Sequence, residues 1–226
     1  MKIPLSNRLL ACCSFVHPGD RVADVGCDHG YLGIHLLLTG IARSVIASDV
    51  NQGPLDSARR NAEKYGVRQN IIFCLSDGVQ NIPKDFDTLV CAGMGADTMI
   101  SILSAAPWLK SPQYRLILQC QSKTPALRRY VTDQGYHIRR ETLAQDGKFI
   151  YPVMEIVYEP GFVLDEAQCY LSPALLESGS ELLIPYSERI LAGLRETVTG
   201  LSASGGPVYE QKLQLIGLLE SMMGLS

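Results

Sequence analysis

The 226-residue chain has no apolar run approaching about 18 residues, so no segment reads as a membrane-spanning helix. Its first twenty residues, MKIPLSNRLLACCSFVHPGD, offer too short and too interrupted an apolar stretch for a secretory leader. The expectation is a cytoplasmic protein with no membrane partner. A dominant charge is also missing: 20 Lys and Arg against 23 Asp and Glu leave a net charge of −3, which argues neither for nor against a nucleic-acid partner. None of the seven cysteines forms a C-x-x-C, and an odd number without a secretion signal suits buried, reduced thiols better than bridges. Cys27, Asp28 and His29 are neighbours that cannot all turn toward one ion, and no distant pair completes a ligand set, so no metal is expected. Internal repeats and low-complexity tracts are absent, and no obligate protein partner is evident.

What is present is an ordinary globular composition, 46% hydrophobic and 19% charged, with five apolar runs at regular intervals. These are RVADVG (21–26), SVIASDV (44–50), NIIFCLSDG (70–78), FDTLVCAGMG (86–95) and YRLILQC (114–120). Their near-continuous apolar content reads as parallel strands covered on both faces. Helical patterns fall between them: YLGIHLLLTG, GPLDSARRNAEKYG with Gly66 as a stop, DTMISILSAAPWL and TPALRRYVTDQG. Alternation of this kind implies a doubly wound α/β sheet. Residues 136–161 then read as two extended segments around QDGK, with Asp146-Gly147 as a tight-turn signal. Five parallel strands closed by an antiparallel hairpin is the order of a Rossmann-like class I methyltransferase, although the order alone does not separate it from other Rossmann-like enzymes. From Pro173 the pattern becomes helical, two helices joined by SASGGP (202–207). The expected organisation is a catalytic α/β domain over 1–162 and a small helical domain over 163–226. The first carries 17 basic and 15 acidic residues and the second 3 and 8, so the tail is a poor phosphate binder on charge grounds.

The segment DVGCDHGYLG (24–33) resembles a G-x-G-x-x-G phosphate loop in which the spaced positions are Gly26, Asp28 and Gly30. A carboxylate in the middle would repel a pyrophosphate. It would attract the ammonium and sulfonium of S-adenosylmethionine, and Asp24 adds charge facing the same place. Asp49, 23 residues past Gly26, ends the second strand where an acid can grip ribose hydroxyls, with Val50 beside it. Asp77-Gly78 follows the third strand, where an acid can accept from an adenine amino group. Charge-assisted hydrogen bonds of this type contribute roughly 1.5–3 kcal/mol each. After the fourth strand, AGMGAD (92–97) has two open readings: a loop whose Ala92, Gly93 and Met94 pass close to a reacting group, or a simple turn capped by Asp97. There is no N-P-P-Y or D-P-P-Y, the tetrapeptides of enzymes that methylate exocyclic amino groups, which makes a ring nitrogen or another acceptor more natural.

LSNRLLACCSFV, ADVGCDHGYLGIHLL, ASDVNQGPLDSARRNAEKYG, DGVQNI, AGMGADTMISIL, RLILQCQS, LRRYV and QDGKFIYPVMEI together resemble the bacterial TrmK family over about Leu5 to Pro160. The resemblance implies S-adenosylmethionine-dependent methylation of N1 of adenine 22 in tRNA, and a coiled-coil-like C-terminal domain that helps to hold the tRNA. By motif position it places Asp24, Gly26, Asp28, His29, Tyr31, Asp49, Asp77, Gly78, Ala92, Gly93 and Met94 around the cofactor. The chain departs from the pattern at Ala96, where a glycine is usual, and at Gln119-Cys120, where Gln-Pro is usual. It also has a C-terminal portion that reads as shorter and more acidic.

In that setting Asp28 or an adjacent backbone carbonyl is the candidate for stabilising the cationic product, with His29 and Tyr31 shaping the pocket. His29 has the alternative of simply satisfying backbone groups at a helix start. Candidate tRNA contacts are Arg8 near the N-terminus and Lys123, Arg128 and Arg129 after the fifth strand. Arg59, Arg60, Lys64, Arg139, Arg140 and Lys148 are further basic positions, any of which can be an ordinary solvated face. Two rival readings remain open: a small-molecule class I methyltransferase, and a non-catalytic tRNA-binding protein that keeps the fold.

Overall fold

The five apolar runs form the parallel strands of one seven-stranded sheet in the computed structural model, which describes residues 3–201 and 205–224. The strands are β1 (Asp20–Val25), β2 (Ala42–Asp49), β3 (Ile71–Leu75), β4 (Thr88–Met94) and β5 (Arg115–Cys120), followed by β6 (Tyr136–Asp146) and β7 (Phe149–Tyr158). Their spatial order is β3-β2-β1-β4-β5-β7-β6, with β7 antiparallel to both neighbours. The β6–β7 turn consists of Gly147 and Lys148, with Gly147 at φ +58, one residue later than the Asp146-Gly147 signal suggested. Asp146 instead pairs with Phe149 as the last rung of the hairpin.

Helices α2 (Tyr31–Leu38), α3 (Gln52–Lys64), α4 (Ala96–Ser104) and α5 (Thr124–Asp133) occupy the crossovers, and α1 (Asn7–Cys13) precedes β1. The apolar pattern of DTMISILSAAPWL is not one helix: α4 ends at Ser104 and Pro107–Leu109 forms a separate 3₁₀ turn, because Pro107 has no N–H to continue the ladder. Successive strand residues alternate between two cores. Val22, Val90 and Ile117 face one side, and Ala23, Leu89, Leu116 and Leu118 face the other. Each fully buried Leu or Ile contributes roughly 1.5–3 kcal/mol. Among the five parallel strands, coverage of both faces fails at β3, where Ile72 and Leu75 are exposed. There β3 is the sheet edge, and Phe73 is instead flanked by the guanidiniums of Arg59 and Arg68.

The C-terminal part holds α6 (Glu166–Tyr170), α7 (Pro173–Leu176), α8 (Leu183–Leu201) and α9 (Pro207–Met222). Residues 202–204 of the expected SASGGP loop lie outside the described residues. A third core, with Leu191, Leu194, Leu215 and Leu219, joins these helices to Leu143 of β6 and to Ile150 of β7. The helices therefore rest on the terminal hairpin of the sheet. Sequence order reverses about β1, which is flanked by β2 and β4, and this opens a crevice at the carboxyl ends of those strands.

Candidate active site

Beyond Val25 the chain turns through Gly26, Asp28 and Gly30, all three left-handed, with φ of +73, +50 and +71. At Gly30 a side chain is also excluded by space, since a Cβ would lie 2.9 Å from Ala58 Cβ, whereas at Gly26 it would meet only the mobile end of Met94, 2.3 Å from Cε. Asp28 takes the middle position because a short polar side chain tolerates this region, at a cost of about 1 kcal/mol. The turn thus holds its carboxylate at the mouth of the crevice, 71% exposed and 3.7 Å from His29 Nε2.

The crevice is a cavity of about 430 Å³. Asp24, Gly26, Asp28, His29 and Tyr31 from the β1–α2 turn line one wall. Asp49 and Val50, then Asp77 and Gly78, line the second, and Ala92, Gly93 and Met94 the third, with Arg8 reaching in from α1. Gly30 does not line it; as the residue preceding α2 it lets that helix approach α3 at Ala58. Cys27, Ser76, Thr98 and Ile102 are lining residues that sequence reasoning missed. Thr98 stands one helical step after the AGMGAD motif and was within reach of that signal, whereas Ile102 carried none.

Asp49 is oriented by two backbone donors: Asp28 N–H reaches its Oδ2 at 3.3 Å and Asn51 N–H its Oδ1 at 2.9 Å. Asp24 is buried, and its Oδ2 has no hydrogen-bond partner. Burial, opposed by the Gly33 amide and reinforced by Asp49 and Asp28, raises its pKa to about 7. Burial likewise pushes the Cys27 thiol far up, so it is no nucleophile at neutral pH. An unpartnered carboxylate oxygen in a buried wall calls for a charged donor. Four carboxylates facing one cavity with apolar Val50, Met94 and Ile102 suit a cationic ligand with an apolar ring and hydroxyl groups, and disfavour a pyrophosphate. That donor set fits the ammonium, sulfonium and nucleoside of S-adenosylmethionine.

The third wall is braced from behind. Gln119, fully buried at the end of β5, accepts at its Oε1 from Gly93 N–H (3.0 Å) and from Arg8 Nη1 (3.0 Å). Arg8 also approaches Asp146 at 3.4 Å. The loop is therefore more than a capped turn. Asp97 does not cap α4, whose preceding residue Gly95 makes no side-chain cap, and its carboxylate bonds Lys123 Nζ at 2.6 Å instead. Among the described residues no group of His, Cys, Asp and Glu is arranged to hold a metal ion, and no helix is long and apolar enough to cross a membrane.

A methyltransferase-domain family model matches residues 5–154, the whole unit that builds this cavity. The tRNA (adenine(22)-N(1))-methyltransferase of Bacillus subtilis is 33% identical over 149 residues, 65% of this chain and 63% of that relative. The crystal structure of the B. subtilis M1A22 tRNA methyltransferase TrmK superposes with a TM-score of 0.81 at 26% identity, covering 99% of this chain and 97% of that one. The chain belongs to the TrmK family of methyltransferases. A Streptococcus pneumoniae chain solved in complex with S-adenosyl-L-methionine matches with a TM-score of 0.84 at 27% identity, over 95% of this chain and 99% of its own.

The superposition on B. subtilis TrmK covers nearly all of both chains. One expectation for this TrmK chain is corrected. Arg128 is not a surface contact for substrate: its side chain has no exposure, being held by Glu141 and by the carbonyls of Cys169 and Tyr170. Helical phase separates it from its neighbour Arg129, which is exposed. Lys123 is exposed but outside the first cavity, paired with Asp97. Arg139 and Arg140 are engaged by Glu159 and Glu155.

Proposed function

We propose that this protein transfers a methyl group from S-adenosylmethionine to N1 of adenine 22 in tRNA. The observation that carries the cofactor in this reading is the unpartnered buried oxygen of Asp24, set in one cavity with Asp28, Asp49 and Asp77, and the tRNA target is supported by the similarity to tRNA (adenine(22)-N(1))-methyltransferases. Asp24 would receive the amino group of the cofactor, Asp49 the ribose hydroxyls and Asp77 the adenine amino group. When bound, the cofactor supplies an electrophilic methyl group on sulfur. Adenine N1 already has a free lone pair, so the protein has to align it rather than deprotonate it. Gly93, fixed by Gln119, supplies a rigid wall for that alignment. The methylated base is a cation, and the Asp28 carboxylate at the mouth stabilises it, with His29 and Tyr31, whose rings lie 5.9 Å apart, shaping the entrance. The base has to leave its stack to enter. Exposed Arg129 is one cation that can meet the RNA backbone, and Arg8, held by Gln119 and Asp146, adds positive charge inside the cavity.

Incubation with unmodified tRNA and labelled S-adenosylmethionine, followed by digestion and positional analysis, tests the proposal. Label in 1-methyladenosine at position 22 is the expected result. Label in a small molecule without tRNA would favour the small-molecule reading, and tRNA binding without cofactor consumption the non-catalytic one.

A further inference from the structure

A second cavity, about 440 Å³, is lined in part by the loop that follows β5. The linings of the two cavities meet at one hydrogen bond. Met94 lines the first, and Gln121, whose backbone N–H donates to Met94 O at 2.9 Å, lines the second. Their chemistry is opposite: four aspartates line the first, whereas among the described residues lining the second there is no carboxylate. The second instead collects Phe149, Tyr151 and Tyr170 together with Lys123 and Arg189. Phe149 and Tyr151 stand on the same face of β7 with stacked rings, centroids 5.9 Å apart and planes 29° apart. Phe149 is 51% exposed at the hairpin tip, and Lys148 Nζ lies 5.3 Å from its ring centroid. Lys123 is paired with Asp97, but Arg189 on α8 is exposed and has no ion pair among the described residues.

We propose that this cavity is a stacking subsite for an unpaired nucleobase flanking the methylated adenine, with Phe149 and Tyr151 as the platform and Arg189 as the contact to its phosphate. Accessible aromatic rings beside an unpaired cation, in a cleft whose described lining has no acid, are the combination that single-stranded nucleic acid uses. The inference rests on the tRNA activity proposed above. It also gives the C-terminal helices a role despite their acidic balance, because Arg189 is among their few basic residues and it faces the subsite.

The test is steady-state methylation of tRNA transcripts carrying an abasic residue on either side of the target adenine, by wild type, Phe149→Ala, Phe149→Trp and Arg189→Ala. One of the two abasic transcripts is expected to raise KM about tenfold for wild type, with no further rise in Phe149→Ala, which shows a similar KM on intact tRNA. Phe149→Trp is expected to restore the wild-type KM, and calorimetric S-adenosylmethionine affinity to stay unchanged in each variant, which controls for folding. Wild-type KM for intact tRNA in both Phe149→Ala and Arg189→Ala overturns the subsite alone, while absence of tRNA methylation by the wild type overturns the subsite and the proposed activity together.

Discussion

Arg128 Nη2 lies 2.6 Å from Glu141 Oε1, and neither side chain reaches solvent. Burial works against the Arg128 charge, but Glu141 and Tyr186 hold it above its ordinary pKa. Glu141 also accepts from Ser172 Oγ at 2.5 Å, so the pair ties α5 and β6 to the segment that begins the C-terminal helices. Removing one partner leaves the other as an uncompensated buried charge. Arg128→Met should therefore cost about 3–5 kcal/mol, and Arg128→Met with Glu141→Leu should recover most of it. The melting temperature is the readout, with a fall of roughly 10 °C for the single variant. A single variant that melts like wild type would contradict this account.

Arg129, one residue on, is exposed and should behave in the opposite way. Arg129→Glu is expected to leave the melting temperature unchanged, weaken tRNA binding and reduce the slope of log affinity against log salt by about 1. Filter binding at several salt concentrations measures it; an unaltered slope would remove Arg129 from the RNA interface.

The titration of Asp24 predicts the pH dependence of cofactor binding. Its folded pKa, about 7, lies above the ordinary carboxyl value, so the protonated form stabilises the free protein at low pH and that contribution is lost as pH rises through 7. With Asp24 in its proposed role the cofactor amino group meets the ionised form, so S-adenosylmethionine affinity should rise roughly tenfold from pH 6 to pH 8 and then level off. Asp24→Asn should lose binding, and its stability relative to wild type should improve from pH 5 to pH 8. Calorimetry and thermal melts across that range decide both points, and a flat affinity profile would count against Asp24 as the amino-group partner.

Asp28→Gly separates backbone strain from charge. Glycine relieves the left-handed conformation at φ +50, so the variant should be at least as stable as wild type. It loses the carboxylate, and affinity for S-adenosylmethionine should fall about tenfold or more. An affinity equal to wild type would show that the loop needs only the conformation.

Gln119→Leu leaves Gly93 N–H and Arg8 without their shared acceptor. Turnover on tRNA is expected to drop at least about tenfold, whereas Gln119→Glu, which keeps the acceptor, should restore part of it. Equal turnover in the two variants would make the bridge irrelevant to alignment.

The acids of the first cavity were legible in the sequence because each follows an apolar run, and in a parallel sheet all such runs end at the same edge. Asp24, Asp49 and Asp77 meet there for that reason. Other features had no local signal. Gln119 and Arg8 are separated by 111 positions and meet only because α1 folds across the sheet. The aromatic cleft likewise forms only where α8 is laid against the hairpin.

Local pattern thus determined the strands, the crossover helices, the left-handed loop with its acid, and the edge at which a cationic cofactor would be held. Tertiary structure alone decided which basic residues face solvent: Arg128 and Arg129 are adjacent and chemically identical, yet one is buried against Glu141 and the other is exposed. The reason is geometric. Spacing along the chain fixes what a short segment can form, but the fate of a long charged side chain depends on which distant group is carried to its tip.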